Sequence, residues 1–499
     1  MATYMSGIGQ EGTISRPALG RIAKVGDLYD ARKDRFCATS IFKQTLPPDS
    51  PALTVTDNPH SKISVTTFPT LEKKLHELDV TGAFKLSVLA GMVELGGSAK
   101  YLNKKKTSFK SVESAILYNI TTKVEHLDLF NDDVMKLISP EVMCHIRATH
   151  VVVQIYWGAN CTVSVTDQNS ENMHKKDVEG KLALELKKWM ISISNEATKG
   201  KSEEQNTDDS FSLEIFGDVL QDSSDEFPYT MEGAVAMIKK IPELTLKSNS
   251  GYGKPLTYVM IPLSSPAFQS YLDCTRHLKI PDLSNLDEGR IVKVIHLFDY
   301  MTELEQKAHD LVDELNEHHH CVARNELQLA RSCEISLEAQ ISSARSDLRK
   351  LLETARDFNN NDSLNLEDFC TKHRTIADET FKKCEKIYET VLPRIVFAKR
   401  CTKFGVQYLE PPIEVRITSA SDDFENIYVL FDGEAHRTTL KNNHSSFIEL
   451  AKNSQNDDNS VCYVNWSEQN RNVRIEHYKK GKLVHADVAT DFVDGSRLP

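Results

Sequence analysis

Leu89-Ala90-Gly91-Met92-Val93-Glu94-Leu95-Gly96-Gly97-Ser98-Ala99-Lys100-Tyr101-Leu102 sets three glycines among small and apolar residues, with charges only at Glu94 and Lys100. Glycine enters backbone regions closed to other residues, so Gly91, Gly96 and Gly97, with Gly82 upstream, are points where the chain can change direction. Upstream, Leu71 to Val93 carries apolar residues at helical spacing. Taken alone, the stretch predicts an amphipathic helix with glycines at its ends.

On either side the period changes. Ile63 to Phe68, Ser114 to Val124, Thr149 to Trp157 and Leu256 to Leu263 are rich in β-branched and aromatic residues and predict strands; Val178 to Ile191 predicts a second helical stretch. From about 284 to 400 apolar residues recur at steps of three and four. Ile291, Val294, Phe298 and Met301 begin one stripe, Leu337, Ile341, Ala344 and Leu348 a second, and Phe369, Ile376, Cys384 and Ile387 a third. Such stripes pack on one another, which predicts a helical bundle. Glu410-Pro411-Pro412 marks a boundary, because proline cannot continue a helix. Beyond it, Ile413 to Ile417, Ile427 to Phe431, Val461 to Val464 and Val473 to His477 predict short strands, with Lys480-Gly481 a turn and one helix between them. The organisation predicted is α+β: residues 1–280, then a bundle over 284–400, then a small α/β or β-rich domain over 411–499.

The formal charge of −12 repels phosphate backbones and argues against nucleic acid as a partner. No basic-then-apolar leader opens the sequence, and no window approaches the ~20 apolar residues of a spanning helix. The expectation is a soluble chain, cytoplasmic or released without a signal peptide. Ten scattered cysteines with no Cys-x-x-Cys pair predict reduced thiols.

Three constellations invite chemistry and are rejected. His318-His319-His320-Cys321 lacks the i, i+4 spacing that a helical metal site needs and is assigned to a solvated helix end. Asp357 to Asp368 resembles a calcium loop, but Asp362 stands where glycine makes the turn and Asp368 replaces the bidentate Glu. Gly251-Tyr252-Gly253-Lys254 is too short for a phosphate loop. No catalytic residue, metal site or cofactor is predicted.

Four passages, in order, resemble the stonustoxin-like branch of the perforin and cholesterol-dependent-cytolysin superfamily. Gly26 to Asp34 looks like its opening strand, and Leu89 to Leu102 resembles a signature of that branch. Thr149-His150-Val151, followed after six residues by Gly158-Ala159, is similar to a superfamily motif, with Arg147 and Ala148 standing where an aromatic and a glycine are usual. Phe216-Gly217-Asp218, Ile241-Pro242 and Val259 to Leu263 resemble the closing part of the domain. The helical stretch also resembles the bundle that follows this domain in stonefish toxins.

The resemblance implies a bent antiparallel sheet flanked by two helical clusters that unfurl into membrane-spanning hairpins. It marks Gly91, Gly96, Gly97, Thr149, His150 and Gly158 as hinge or signature positions, with Thr149 and His150 making structural hydrogen bonds at the bend of the sheet. In the first segment, about 71–106, it points to Phe84, Leu86, Val88, Val93 and Leu95 as membrane-facing. In the second, about 163–210, it points to Leu182, Leu184, Leu186, Trp189, Ile191 and Ile193. There Lys187 and Lys188 interrupt alternating runs shorter than the about 9–11 residues a spanning strand needs. The partners implied are a lipid membrane, copies of the chain or a related subunit, and a protein docking on the bundle. The alternative is a non-lytic binding or regulatory protein that keeps the fold.

Overall fold

The computed structural model describes residues 12–487, apart from positions 48, 68, 106–107, 130, 146, 169–173, 195–210, 221–229, 266–267, 269–285, 359–363, 410–411, 433–436, 456, 458 and 467–472. The first elements are β1 (Ile14–Pro17), β2 (Asp27–Asp30), β3 (Arg35–Ser40), β4 (Leu53–Thr67), α1 (Leu71–Glu77), α2 (Phe84–Leu89) and a 3-10 segment, Gly97–Asn103. Next come β5 (Val112–Leu127), α3 (Asp132–Leu137), α4 (Pro140–His145), β6 (His150–Asp167), α5 (Lys175–Ser194), β7 (Phe211–Gly217), α6 (Met231–Lys247) and β8 (Lys254–Pro262). Three long helices follow: α7 (Glu288–Glu317), α8 (Arg324–Phe358) and α9 (Leu366–Lys403). The chain closes with β9 (Gln407–Tyr408), α10 (Ile413–Ala420), β10 (Asn426–Phe431), α11 (Arg437–Ser454), β11 (Ser460–Asn465), β12 (Arg474–Lys479) and β13 (Lys482–Asp487).

Strands β4, β5, β6 and β7 lie side by side, all antiparallel. Alternation gives the sheet two unlike faces. Val112, Ile116 and Tyr118 of β5 and Ala159, Cys161, Val163 and Val165 of β6 point to one face, where Val178, Leu182 and Leu186 of α5 and Ala234, Ile238 and Ile241 of α6 cover them. Each fully buried aliphatic there contributes about 1.5–3 kcal/mol relative to exposure. Glu113, Ser164 and Thr166 alternate with those residues and are also buried, on the other face.

The sheet bends at one level. Register shifts fall between Asp57 and His60 in β4, between Thr121 and Val124 in β5, and beside Tyr156 and Trp157 of β6, where β8 carries the extra residue; a further shift lies between Val152 and Gln154 of β6. An extra residue on adjacent strands at one height turns the whole sheet. There β6 changes neighbour, pairing β8 over His150–Gly158 and β7 over Cys161–Asp167.

The chain divides into two compact units: Met1–Lys307 with Leu337–Asp378, and Ala308–Ser336 with Glu379–Pro499. The first holds the large sheet together with parts of α7, α8 and α9. The second holds a five-stranded sheet ordered β13-β12-β10-β11-β9, in which β9, β10 and β11 run parallel and β12 and β13 are antiparallel.

Four expectations are corrected. Ile413 to Ile417 is helix α10, not a strand: Ile417 and Ala420 are buried at helical spacing while Val415 is 63% exposed, and Pro412 sits at the N-cap, where a missing N–H costs nothing. Among the described residues the terminal region thus has two helices, α10 and α11. Leu71 to Val93 is two short helices, because Asp79 and Gly82 take positive φ between them. Gly26 to Asp34 does not open the fold: β1 precedes it, and the passage forms β2 and its turn into β3. The His318 to Cys321 end is only partly solvated: His319 is exposed, but His318 and Cys321 are buried and the His320 ring lies 3.6 Å from that of Tyr408. Positions 359–363 of the calcium-like run lie outside the described residues.

Candidate functional site

The two segments marked by sequence occupy equivalent places. The first, α1 through the 3-10 segment, joins β4 to β5, and the second, containing α5, joins β6 to β7. All four strand ends meet at one end of the sheet: Thr67 pairs with Ser114, Val112 with Asp167, and Asp167 with Phe211.

The first segment starts with Thr70, whose hydroxyl accepts from the Lys73 N–H at 3.3 Å and caps α1. Phe84, Leu86 and Val93 are buried; Val88 and Leu95 are half-buried. Gly91 ends α2 with φ +64° and open space around it, so its role is conformational. Gly96 lies against Gly20, where a Cβ would sit 2.4 Å from the Gly96 carbonyl carbon. Gly97 has φ +53° and faces Asp218.

Polar groups hold this segment to the sheet. Lys74 Nζ lies 3.2 Å from Glu113 Oε1, which also accepts from Ser164 Oγ at 2.9 Å. Burial pulls the Lys74 ammonium below its ordinary pKa, against the attraction of Glu113. Lys104 Nζ donates to Ser164 Oγ at 2.9 Å and to Thr166 Oγ1 at 3.1 Å. Asp218, where β6 changes neighbour, accepts from Ser98 N through Oδ1 and from Asn160 N through Oδ2, each at 2.8 Å. Burial raises its carboxyl pKa despite those two bonds. Asp218→Ala strands both N–H groups and is expected to cost about 1–3 kcal/mol in thermal unfolding. An unchanged Tm would remove Asp218 from this role.

In the second segment Val178, Leu182 and Leu186 form one buried stripe and Trp189 is half-buried, while Leu184 and Ile191 are 62% and 58% exposed. Helical spacing therefore splits the three leucines between two faces. Ile193 lies on α5, with its side chain outside the described residues.

Thr149 and His150 lie at the far end of β6 and not at the bend, contrary to expectation: Thr149 Oγ1 accepts from Ala31 N at 2.8 Å and lies 2.8 Å from His150 Nδ1. His150 Nε2 is 3.0 Å from the Gly12 carbonyl oxygen. Burial lowers the His150 pKa to about 4, so the ring is neutral at neutral pH. Gly158 sits at the bend, where a Cβ would stand 1.9 Å from the Ile120 carbonyl oxygen.

One cluster escaped the sequence reading. Arg356 of α8 bonds Asp34 Oδ2 at 3.0 Å, the Arg32 carbonyl at 3.0 Å and Ser87 Oγ at 2.7 Å, with both charged side chains fully buried. Nothing local in sequence links positions so far apart. Among the described residues there is no group of side chains able to hold a metal, and no helix long and apolar enough to cross a membrane.

A bent antiparallel sheet with a helical segment inserted between each outer strand pair is the architecture of the perforin and cholesterol-dependent-cytolysin class. The chain belongs to the SNTX, MACPF/CDC-like domain family, whose model matches residues 13–272. Cytolytic toxin-beta of Scorpaena plumieri is 30% identical over 251 residues, covering 50% of this chain and 34% of that relative. Stonustoxin subunit beta of Synanceia horrida is 29% identical over 249 residues, 49% of this chain and 34% of the relative. The chain thus matches about a third of the length of these toxins. The solved structure of stonustoxin superposes with a TM-score of 0.62 at 17% identity, covering 97% of this chain and 71% of that one, a likeness of fold.

Proposed function

We propose that this chain is a non-enzymatic, pore-forming, cytolysin-like protein. It would bind a membrane, assemble with copies of itself or a related subunit, and convert the segments at 71–106 and 163–210 into β-hairpins. The relatives named cytolytic toxin and toxin subunit support this reading.

The observation that carries it is one of register. The β4–β5 ladder pairs Thr66 with Ala115 and Thr67 with Ser114. Continued without slip, it pairs Val80 with Tyr101, Gly82 with Ala99, Phe84 with Gly97, Leu86 with Leu95 and Val88 with Val93, and turns at Ala90-Gly91. The intervening row pairs Thr81 with Lys100, Ala83 with Ser98, Lys85 with Gly96 and Ser87 with Glu94, and beside the turn Leu89 with Met92. One row is apolar and the other mostly polar, over a length matching the about 9–11 residues of a spanning strand. Backbone groups in lipid must all be paired, so such hairpins require a closed barrel and several subunits. Among the described residues, β4 pairs only with β5 and β7 only with β6, which leaves an edge on each side for a neighbouring copy.

Wild-type protein should release dye from liposomes and form rings visible by electron microscopy. Leu95→Lys puts a charge on the lipid row and should cut leakage about tenfold or more, since mid-bilayer charge costs about 2–4 kcal/mol. Glu94→Lys, one residue away on the opposite row and exposed in the folded state, should leave leakage near wild type. Absence of leakage in every lipid mixture, or equal loss in both variants, would overturn the proposal.

One observation favours a non-lytic second reading. The β6–β7 ladder, continued from Asp167–Phe211, sets Leu186 opposite Ser192 and Lys187 opposite Ile191, which mixes the rows. Only a shifted register aligns Leu186, Leu184 and Leu182 with Trp189, Ile191 and Ile193. A protein bound at its edge strands or bundle, with inert behaviour on lipid, would support that reading.

A further inference from the structure

The first segment is clamped from two sides. One side is the polar face of the sheet. The other is the bundle: Asp299 of α7 accepts from Leu71 N at 3.1 Å, Arg349 of α8 donates to the Gly91 carbonyl, and Glu305 of α7 meets Lys105 at 2.9 Å. These contacts fall at the start, middle and end of the segment.

Arg356 stands at the centre. Its guanidinium joins three separate pieces of chain: α8, the turn between β2 and β3 through Asp34, and α2 through Ser87. Ser87 also donates to Asp34, and Tyr29 Oη donates to the same carboxylate at 2.8 Å. Ser87 is fully buried while α2 is helical. In the register derived above it moves to the polar row opposite Glu94 and leaves both partners. The cluster is also imperfect, because Arg356 Nε is buried with no acceptor among the described residues. A buried charged network with one donor unmet holds its parts in a single arrangement without being the most stable filling of that space.

We propose that the helical bundle is a lock on the first segment, with Arg356 as its keystone: α2 straightens only after the guanidinium on α8 releases Ser87. This regulatory contact rests on the reading of residues 71–106 as a straightening segment, but its test needs no membrane.

Hydrogen exchange of the full chain, in solution without lipid, measures the lock directly. Arg356→Gln should speed exchange of amides over 84–103 about tenfold or more, with β5 and β6 unchanged, because local opening separates from global unfolding. Ser87→Ala, which removes only a hydroxyl from α2, should produce the same pattern at smaller amplitude and keeps the test alive if Arg356→Gln fails to fold. Unchanged exchange over 84–103 in Ser87→Ala, or equal acceleration throughout the sheet, would overturn the lock. Selective opening in variants that never release dye would uphold the lock and sink the pore reading instead.

Discussion

Gly158→Ala is expected to be among the most damaging single-methyl substitutions in the chain. The added Cβ would lie 1.9 Å from the Ile120 carbonyl oxygen and 2.8 Å from Leu256 Cδ1. The leucine can rotate, but the oxygen belongs to β5, whose ladder pairs Ile120 with Ala159 and Thr121 with Gly158. Gly253 crowds the same place, its own Cβ position lying 2.3 Å from the Gly158 carbonyl oxygen. Relief therefore means moving β5, β6 and the approach to β8 together. A cost of at least about 3 kcal/mol follows, since overpacking without a flexible neighbour falls at the upper end of its range. Thermal unfolding should show a fall of about 6–12 °C for a chain portion of this size. A variant melting within about 2 °C of wild type would show that the backbones separate easily, and the account of the bend would fail.

Acid should weaken the fold through His150, the second largest expected effect. The ring is neutral when folded, with a pKa lowered to about 4 by burial, against about 6.5 in the unfolded chain. A depressed folded value means stability is fully present above about pH 6.5 and is lost as pH falls toward 4. The shift corresponds to about 3 kcal/mol. Asp34 adds loss at lower pH: burial would raise its carboxyl, but the Arg356 and Arg16 guanidiniums outweigh that and hold it below the usual range. Asp218, Asp79 and Asp299 act in the opposite sense, because burial raises each of them. The His150 contribution is isolated by subtraction. His150→Gln should be less stable than wild type at pH 7.5, with the difference shrinking by about 3 kcal/mol between pH 6.5 and 4. A pH-independent difference would show that His150 does not titrate as described.

Much of this architecture is legible in sequence because it rests on local chemistry. The β-branched runs in β4, β5, β6 and β8 are long, and the apolar stripes of α7, α8 and α9 are strongly periodic. Gly91 and Gly97 advertise positive φ by being glycine. The failures are instructive in the same terms. Ile413-Glu414-Val415-Arg416-Ile417 satisfies both a two-residue and a four-residue period, and only packing of Ile417 and Ala420 decides for helix. Leu182, Leu184 and Leu186 alternate perfectly, yet α5 buries the first and last and exposes the second. Asp218 stands in a passage that matched by resemblance, but its grip on Ser98 depends on a crossing of chains that no spacing encodes. Arg356 reads as one more charge on a bundle helix; its partners, Asp34 and Ser87, lie in other elements altogether. Long-range polar contacts leave no periodic trace, so they appear only with coordinates.

The most direct measurement attaches an environment-sensitive fluorophore at single cysteines introduced from position 78 to 88, in the full chain with its own cysteines replaced, before and after binding liposomes. If the segment continues the β4–β5 ladder, emission on membranes shifts to apolar values at Leu78, Val80, Gly82, Phe84, Leu86 and Val88. It stays polar at Asp79, Thr81, Ala83, Lys85 and Ser87, a two-residue period that no helix produces. A period near 3.6 residues, or spectra identical with and without lipid, would contradict the claim that this segment straightens into the sheet's own register.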